Sequence, residues 1–147
     1  MSQPRTDAMS TFCLQPPGDT IPRAGIVDAL SVACIPVLFH RAQTTLWPLH
    51  WRWQNASLLF DWSIAHRNAS EVLQELLTMP SERVKALKRA ARQAARSIYY
   101  RGAIGDPKKR DAVDILVDAL LDGSGWNAAH TVHQTGRLST VISGVGS

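Results

Sequence analysis

The sequence predicts an α/β fold in which a short parallel sheet is flanked by helices and closed by further helices on its C-terminal side. Two observations predict it. In the first forty residues a β-prone run, a rigid loop, a helix-spaced apolar pattern and a second apolar run succeed one another. That order is a βαβ unit, with both strands parallel in one sheet and a right-handed connection. Further along, Val84, Leu87, Ala91, Ala94 and Ile98 recur at helical spacing, one apolar stripe on a helix of about twenty residues. The 147 residues, 45% hydrophobic and 19% charged, suit one domain with its own core and lie outside compositions that stay disordered.

The elements follow in order. Thr11 to Leu14 reads as a strand that stops at Gln15-Pro16-Pro17-Gly18-Asp19, where two prolines and a glycine preclude regular structure. After Pro22, the positions Ile26, Val27, Leu30 and Ala33 have helical spacing, and Ala33 to Phe39 is the second strand, with Pro36 near its start where a missing donor is tolerable. Arg41 to Phe60 has no clean period and reads as a loop with a short hydrophobic anchor. Its tryptophans at 47, 51 and 53 either anchor that loop on the core or stack on a sugar face. Asp61 to His66 reads as a third short strand. Asn68-x-x-Glu71 has the spacing of a capping box that opens a helix through Leu77, and Pro80 ends it. The long helix starts at Ser81 and breaks at Gly102 to Gly105. Asp106-Pro107 is a cap and first-position pair for a last helix through Leu121, with Val113, Leu116, Val117 and Leu120 as its apolar face. Residues 1–10 and 123–147 are expected to be flexible ends.

Charge and cysteine narrow the function classes. The net charge is +4, and ten of the sixteen Lys and Arg lie between Arg83 and Arg110 with Asp106 the only acid among them. This segment is either a solvated basic helix face or a surface for phosphates or nucleic acid. Cys13 and Cys34 each sit inside a short apolar run, where a thiol behaves as a small buried hydrophobe. There is no CxxC, and the His130-x-x-His133 pair lies in a Gly- and Thr-rich tail, a poor setting for zinc. No apolar stretch reaches the twenty or so residues of a membrane span, and the N-terminus does not read as a cleaved signal peptide. Asn55-Ala56-Ser57 and Asn68-Ala69-Ser70 are N-glycosylation sequons, meaningful if the chain is secretory. If Asn68 caps a helix, its side chain is partly committed.

The loop after the first strand is the candidate site. In an open parallel sheet the ligand crevice lies beyond the carboxyl ends of the strands, and the N-terminus of the following helix attracts anions. Gly18 allows close backbone approach, Thr20 offers a hydroxyl, and Arg23 at the first helical turn can reinforce the helix dipole against a diphosphate. Asp28, one turn further, can accept hydrogen bonds from ribose hydroxyls. The alternative is that Gly18 only makes a turn, Arg23 pairs with Asp19 or Asp28, and the loop binds nothing. Neither GxGxxG nor a P-loop is present, and no Gly-x-Ser-x-Gly elbow or Cys-His pairing supports hydrolase chemistry.

STFCLQPPGDTIPRAGIVDALSVACIPVLFH resembles the hallmark segment of the exostosin-like glycosyltransferases, glycosyltransferase family 47, its plant xyloglucan galactosyltransferase branch in particular. Phe12 to Asp19 match, Arg23 falls on the first of two family arginines, Asp28 on the family's helix acid, and Cys34 to Val37 with Phe39 and His40 match again. Ala24 stands where a second arginine is usual, and Ala33 where glycine is usual. MPSERVKALKRAARQAARSIYY and DPKKRDAVDILVDALLD are similar to two helices of the family's C-terminal region, so the resemblance covers Thr11 to Asp122. It makes the basic helix a structural element and sets nucleic-acid binding aside.

The resemblance implies a GT-B architecture of two Rossmann-like halves, of which this chain resembles the second, nucleotide-sugar-binding half at residues 11–122. It implies inverting transfer from a nucleotide sugar, a UDP-sugar by expectation, to a glycan acceptor held by the other half. No metal and no cofactor are expected, the donor being a substrate. The Golgi lumen or secretory pathway is the implied location. Gly18, Thr20, Arg23 and Asp28 are the implied donor-binding residues. An inverting transfer needs a base for the acceptor hydroxyl, and no residue of this sequence is identified as catalytic. A non-catalytic interaction module or a truncated gene product is the alternative reading, with a basic nucleic-acid-binding domain a distant third.

Overall fold

A computed structural model of the chain describes residues 10–100 and 110–123. Three parallel strands form one sheet in the order β1-β2-β3: β1 is Phe12–Gln15, β2 is Ile35–Leu38 and β3 is Leu58–Leu59. Helices α1 (Ala24–Ser31), α2 (Trp53–Ala56), α3 (Trp62–Arg67), α4 (Ala69–Leu77), α5 (Ser81–Ile98) and α6 (Ala112–Leu121) complete it, with a 3-10 turn at Arg41–Thr45. The α/β class and the parallel βαβ start are as the sequence predicts, a Rossmann-like arrangement with flanking helices.

Side chains of β2 alternate between two cores, as period-two geometry requires. Leu38 joins Ile26 and Leu30 of α1, Trp51, Ala56, and Ala91 and Ala94 of α5. Ile35, Val37 and Phe39 join Leu58, Val72 and Leu76 of α4, and Leu87. Apolar layers therefore cover both faces of the central strand, which is why β2 reads as a continuous apolar run. The α5 stripe lies inward as expected, with Leu87, Ala91 and Ala94 buried. Pro36 is accommodated in this central strand by register. Ile35 donates to Thr11, so alternation turns the edge of Pro36 toward β3. That strand begins only opposite Val37, and no ladder bond requires the missing donor.

α1 ends in a Schellman turn. Cys34 N–H donates to Ala29 O at 2.9 Å and Ala33 N–H to Leu30 O at 3.1 Å, and Ala33 has φ 55°. This is the left-handed position that glycine ordinarily fills, so Ala33 belongs to the turn and not to the helix stripe.

Several expectations are corrected. Cys13 and Cys34 are not separate buried thiols but a disulfide, with Cα atoms 5.8 Å apart. The parallel register sets Cys13 opposite Pro36, two residues from Cys34, and thereby brings the sulfurs together. Asp61 to His66 is not a strand: Asp61 Oδ1 accepts from Ser63 N–H at 2.8 Å and caps α3, and the third strand is Leu58–Leu59. Arg41 to Phe60 is more structured than a loop, and its tryptophans serve as anchors. Trp51 is buried and its indole N–H donates to Leu46 O at 2.8 Å. Asn68 precedes α4 as expected, yet its side chain makes no capping bond to the backbone. The Asp106-Pro107 pair lies outside the described residues, as do the Gly102 to Gly105 break, the tail beyond Gly123 and the His130-His133 pair. α6 itself starts at Ala112, where Asp111 accepts from Val113 and Asp114 N–H groups. Its expected inward face is outward: Val113 is 46% exposed, Leu116 and Val117 45%, and Leu120 69%, whereas Ala119 is buried.

Candidate functional site

The carboxyl ends of β1 and β2 are joined by one buried amide. Gln43 Nε2 donates to Gln15 O at 3.1 Å, and Gln43 Oε1 accepts from the N–H groups of Phe39 and His40 at 3.0 Å each. A buried amide with its groups satisfied in this way fixes backbone geometry. Gln15 is also buried, and its Nε2 donates to Gly25 O at 3.2 Å. A Cβ at position 25 would stand 2.7 Å from Gln15 Oε1, so glycine there lets the first turn of α1 close onto the end of β1. The carboxyl end of β1 is thus tied to the first turn of α1.

Beyond this end of β1 runs the 16–23 loop, with Gly18, Asp19 and Thr20 exposed. Arg23 folds back over it. Its Nη1 donates to Pro16 O at 2.7 Å, and a Cβ on Gly18 would lie 2.5 Å from the same nitrogen. Glycine at 18 is required by this approach, and the guanidinium partner is a backbone carbonyl rather than Asp19 or Asp28. Thr20 Oγ1 donates to Pro22 O at 3.1 Å and pins the loop before the helix. α1 has no side-chain cap at its N-terminus, so its first-turn N–H groups have no side-chain acceptor there. Gly18, Thr20 and Arg23 are therefore gathered in one loop at the helix N-terminus. Asp28 stands apart on the exposed face of α1, opposite the buried Ile26, Ala29 and Leu30.

Sequence reasoning missed Gln15, Gly25, His40 and Gln43. The signals were present as polar residues interrupting apolar runs beside a strand end, but which backbone groups they satisfy depends on the register. His40 follows β2, is exposed, and its Nδ1 accepts from Ala42 N–H at 3.1 Å. In a neutral ring this places the proton on Nε2, so His40 offers a donor at the same end of the sheet.

Two of the hollows among the described residues lie elsewhere. One of about 320 Å³ is lined by Trp51, Arg52, Asn55 and Gln93 between α2 and α5, and α2 leads into the opposite, amino end of β3. The other, beside Arg110 and Asp118 of α6, is open to solvent. Neither adjoins the loop. Among the described residues no three His, Cys, Asp or Glu cluster at metal-binding spacing, and no helix is long and apolar enough to cross a membrane.

Comparison with known proteins points in one direction. Residues 5–77 match the Exostosin GT47 domain. The probable xyloglucan galactosyltransferase GT19 of Arabidopsis thaliana is 31% identical over 132 residues, covering 77% of this chain and 28% of its own length. Xyloglucan galactosyltransferase MUR3 of Arabidopsis thaliana is 27% identical over 121 residues, covering 77% of this chain and 19% of its own length. The chain thus spans less than a third of these relatives.

Proposed function

This chain belongs to the exostosin GT47 family, and we propose that residues 11–122 bind a nucleotide sugar, a UDP-sugar, as the donor-binding half of an inverting glycosyltransferase. The observation that carries this reading is the loop built by Gly18 and Arg23 at the uncapped N-terminus of α1. The diphosphate would lie over the first turn of α1, where the helix dipole and the Arg23 guanidinium offset its charge. Arg23 would exchange the Pro16 carbonyl for phosphate oxygens, a stronger charge-assisted pairing, and the loop would close on the ligand. Thr20 supplies a hydroxyl beside the phosphates, and Asp28 accepts from ribose hydroxyls if the nucleoside extends along the exposed face of α1. A pyrophosphate leaving group stabilised in this way lowers the barrier to departure of the sugar.

Transfer to a glycan acceptor is assigned to this chain together with an acceptor-binding half, since the relatives are more than three times its matched length. A secretory or Golgi setting is supported by the Cys13–Cys34 disulfide, because such bonds persist in oxidising compartments. An interaction module is the second reading, and the exposed apolar side chains of α6 favour it.

Titration of the chain with UDP and UDP-sugars tests the first reading. Saturable binding that weakens about tenfold in Arg23→Ala is expected, in line with the loss of one charge-assisted hydrogen bond. Absence of binding, or binding indifferent to Arg23, refutes the site.

A further inference from the structure

We propose that Asn68 is an N-glycan acceptor and that Asn55, which heads the other sequon, is not; the inference rests on the secretory reading given above. The two sequons share a sequence pattern and differ in structure. Asn55 lies within α2, and the hydroxyl that completes its sequon belongs to Ser57, which is 3% exposed and donates to Trp53 O at 2.7 Å. Ala56 between them is 2% exposed and sits in the core with Trp51 and Ala91. Asn55 itself is exposed, but the Ala56-Ser57 part of its sequon is enclosed as soon as the α2–α5 layer forms, which withdraws the hydroxyl that the modification requires.

Asn68 occupies the junction between α3 and α4. Its backbone is outside the helical region, at φ −145° and ψ 75°, and Asn68, Ala69 and Ser70 are all exposed. Its side chain does not cap α4, and its one contact is a long 3.4 Å approach of Nδ2 to Glu71 Oε2, exposed to solvent. The amide nitrogen that glycosylation uses is therefore held only by a long, solvent-exposed hydrogen bond, and a sugar attached to it projects from the fold without displacing a core residue. The Cys13–Cys34 disulfide, which supports the secretory reading, fits the oxidising compartment in which the modification occurs.

The covalent step balances with a lipid-diphosphate-linked oligosaccharide as co-reactant. Asn68 Nδ2 attacks the anomeric carbon, an N–C bond forms, and the bond from that carbon to the diphosphate oxygen breaks. The lipid diphosphate departs with the bonding electrons, and one amide proton passes to the transferase. The glycan would stand beside Trp62, Ile64 and Leu73, which are exposed on α3 and α4, and would screen that apolar surface.

The test expresses the 147-residue chain behind a cleavable secretory leader in a eukaryotic host, as wild type and as Asn68→Gln, Ser70→Ala and Asn55→Gln. Enzymatic deglycosylation is expected to remove a single mobility step from wild type and from Asn55→Gln. It should leave Asn68→Gln and Ser70→Ala unchanged, and peptide mass spectrometry of the deglycosylated wild type should find aspartate at position 68. A wild-type chain with its disulfide formed but no step, a step lost only in Asn55→Gln, or two steps on the wild type overturns the proposal. In the same secreted wild type, free thiols at Cys13 and Cys34 would remove the support for the secretory reading while the glycan result stood by itself.

Discussion

The Arg23 guanidinium occupies the space that a side chain on Gly18 would need, with Nη1 2.5 Å from where a Cβ would stand. The approach joins two residues of the candidate site in a single structural condition. Gly18→Ala should therefore displace Arg23 from Pro16 O without disturbing the core, since the group that must move is the far end of a flexible side chain. Thermal stability should change by less than about 0.5 kcal/mol, as for substitutions at exposed positions. UDP affinity should fall roughly tenfold, as in Arg23→Ala, and calorimetric titration of the two variants and their double variant should show non-additive losses. Additive losses would mean that the two residues act separately.

Ala33 holds the left-handed position of a Schellman turn at φ 55°. An L-residue there costs about 1–2 kcal/mol, partly offset by the greater unfolded-state freedom of glycine, about 0.4–1 kcal/mol. Ala33→Gly should raise the denaturation midpoint, by roughly 0.5–1 kcal/mol of stability on those figures. A lower midpoint in urea would refute the strain at this turn.

The Cys13–Cys34 bond closes a loop across 21 residues. Its removal should cost about 3 kcal/mol by the loop-entropy relation. Urea unfolding of the oxidised chain, the reduced chain and the Cys13→Ser/Cys34→Ser variant should place the first well above the other two. Coincident curves would show that the bond adds nothing to the fold.

Asp61 carries the pH dependence that can be located. Its side-chain hydrogen bond from the Ser63 hydroxyl, followed by the Ser63 backbone N–H, holds its pKa below the ordinary aspartate value. With the folded-state value lower than the unfolded one, the cap supports α3 at neutral pH and is lost as pH falls through the folded value, below the usual range near 4. Protection of the Ser63 amide, measured against the unstructured exchange rate at the same pH, should fall only in that acidic window, and Asp61→Ala should remove the dependence. A Ser63 exchange rate whose pH profile is the same in both chains would contradict the cap.

The legible and illegible parts of the fold divide along physical lines. α1 and α5 were readable because apolar residues recur at helical spacing, β1 and β2 because they are short β-prone or apolar runs, α4 from the Asn68-x-x-Glu71 spacing and Pro80, and the 16–23 loop because two prolines and a glycine permit little else. Trp47, Trp51 and Trp53 have no common period, and their placement comes from tertiary bonds such as Trp51 to Leu46 O. The periodicity of α6 announced a helix but pointed to the wrong stripe, Val113, Leu116, Val117 and Leu120, whereas the small Ala119 packs inward. The disulfide and the Gln43 clamp depend on strand register, and the Arg23 partner is a backbone carbonyl, a group every residue carries.

Pro36 carries a consequence for where the sheet is stiff. Since β3 pairs only with Val37 and Leu38, the rungs that span all three strands are Leu14-Val37-Leu58 and Gln15-Leu38-Leu59. Both lie at the carboxyl ends, directly beneath Pro16 and the loop that follows. The sheet resembles a fan pinned near its tips: hydrogen-bonded across its full width where a ligand would rest, and two strands wide where it faces away.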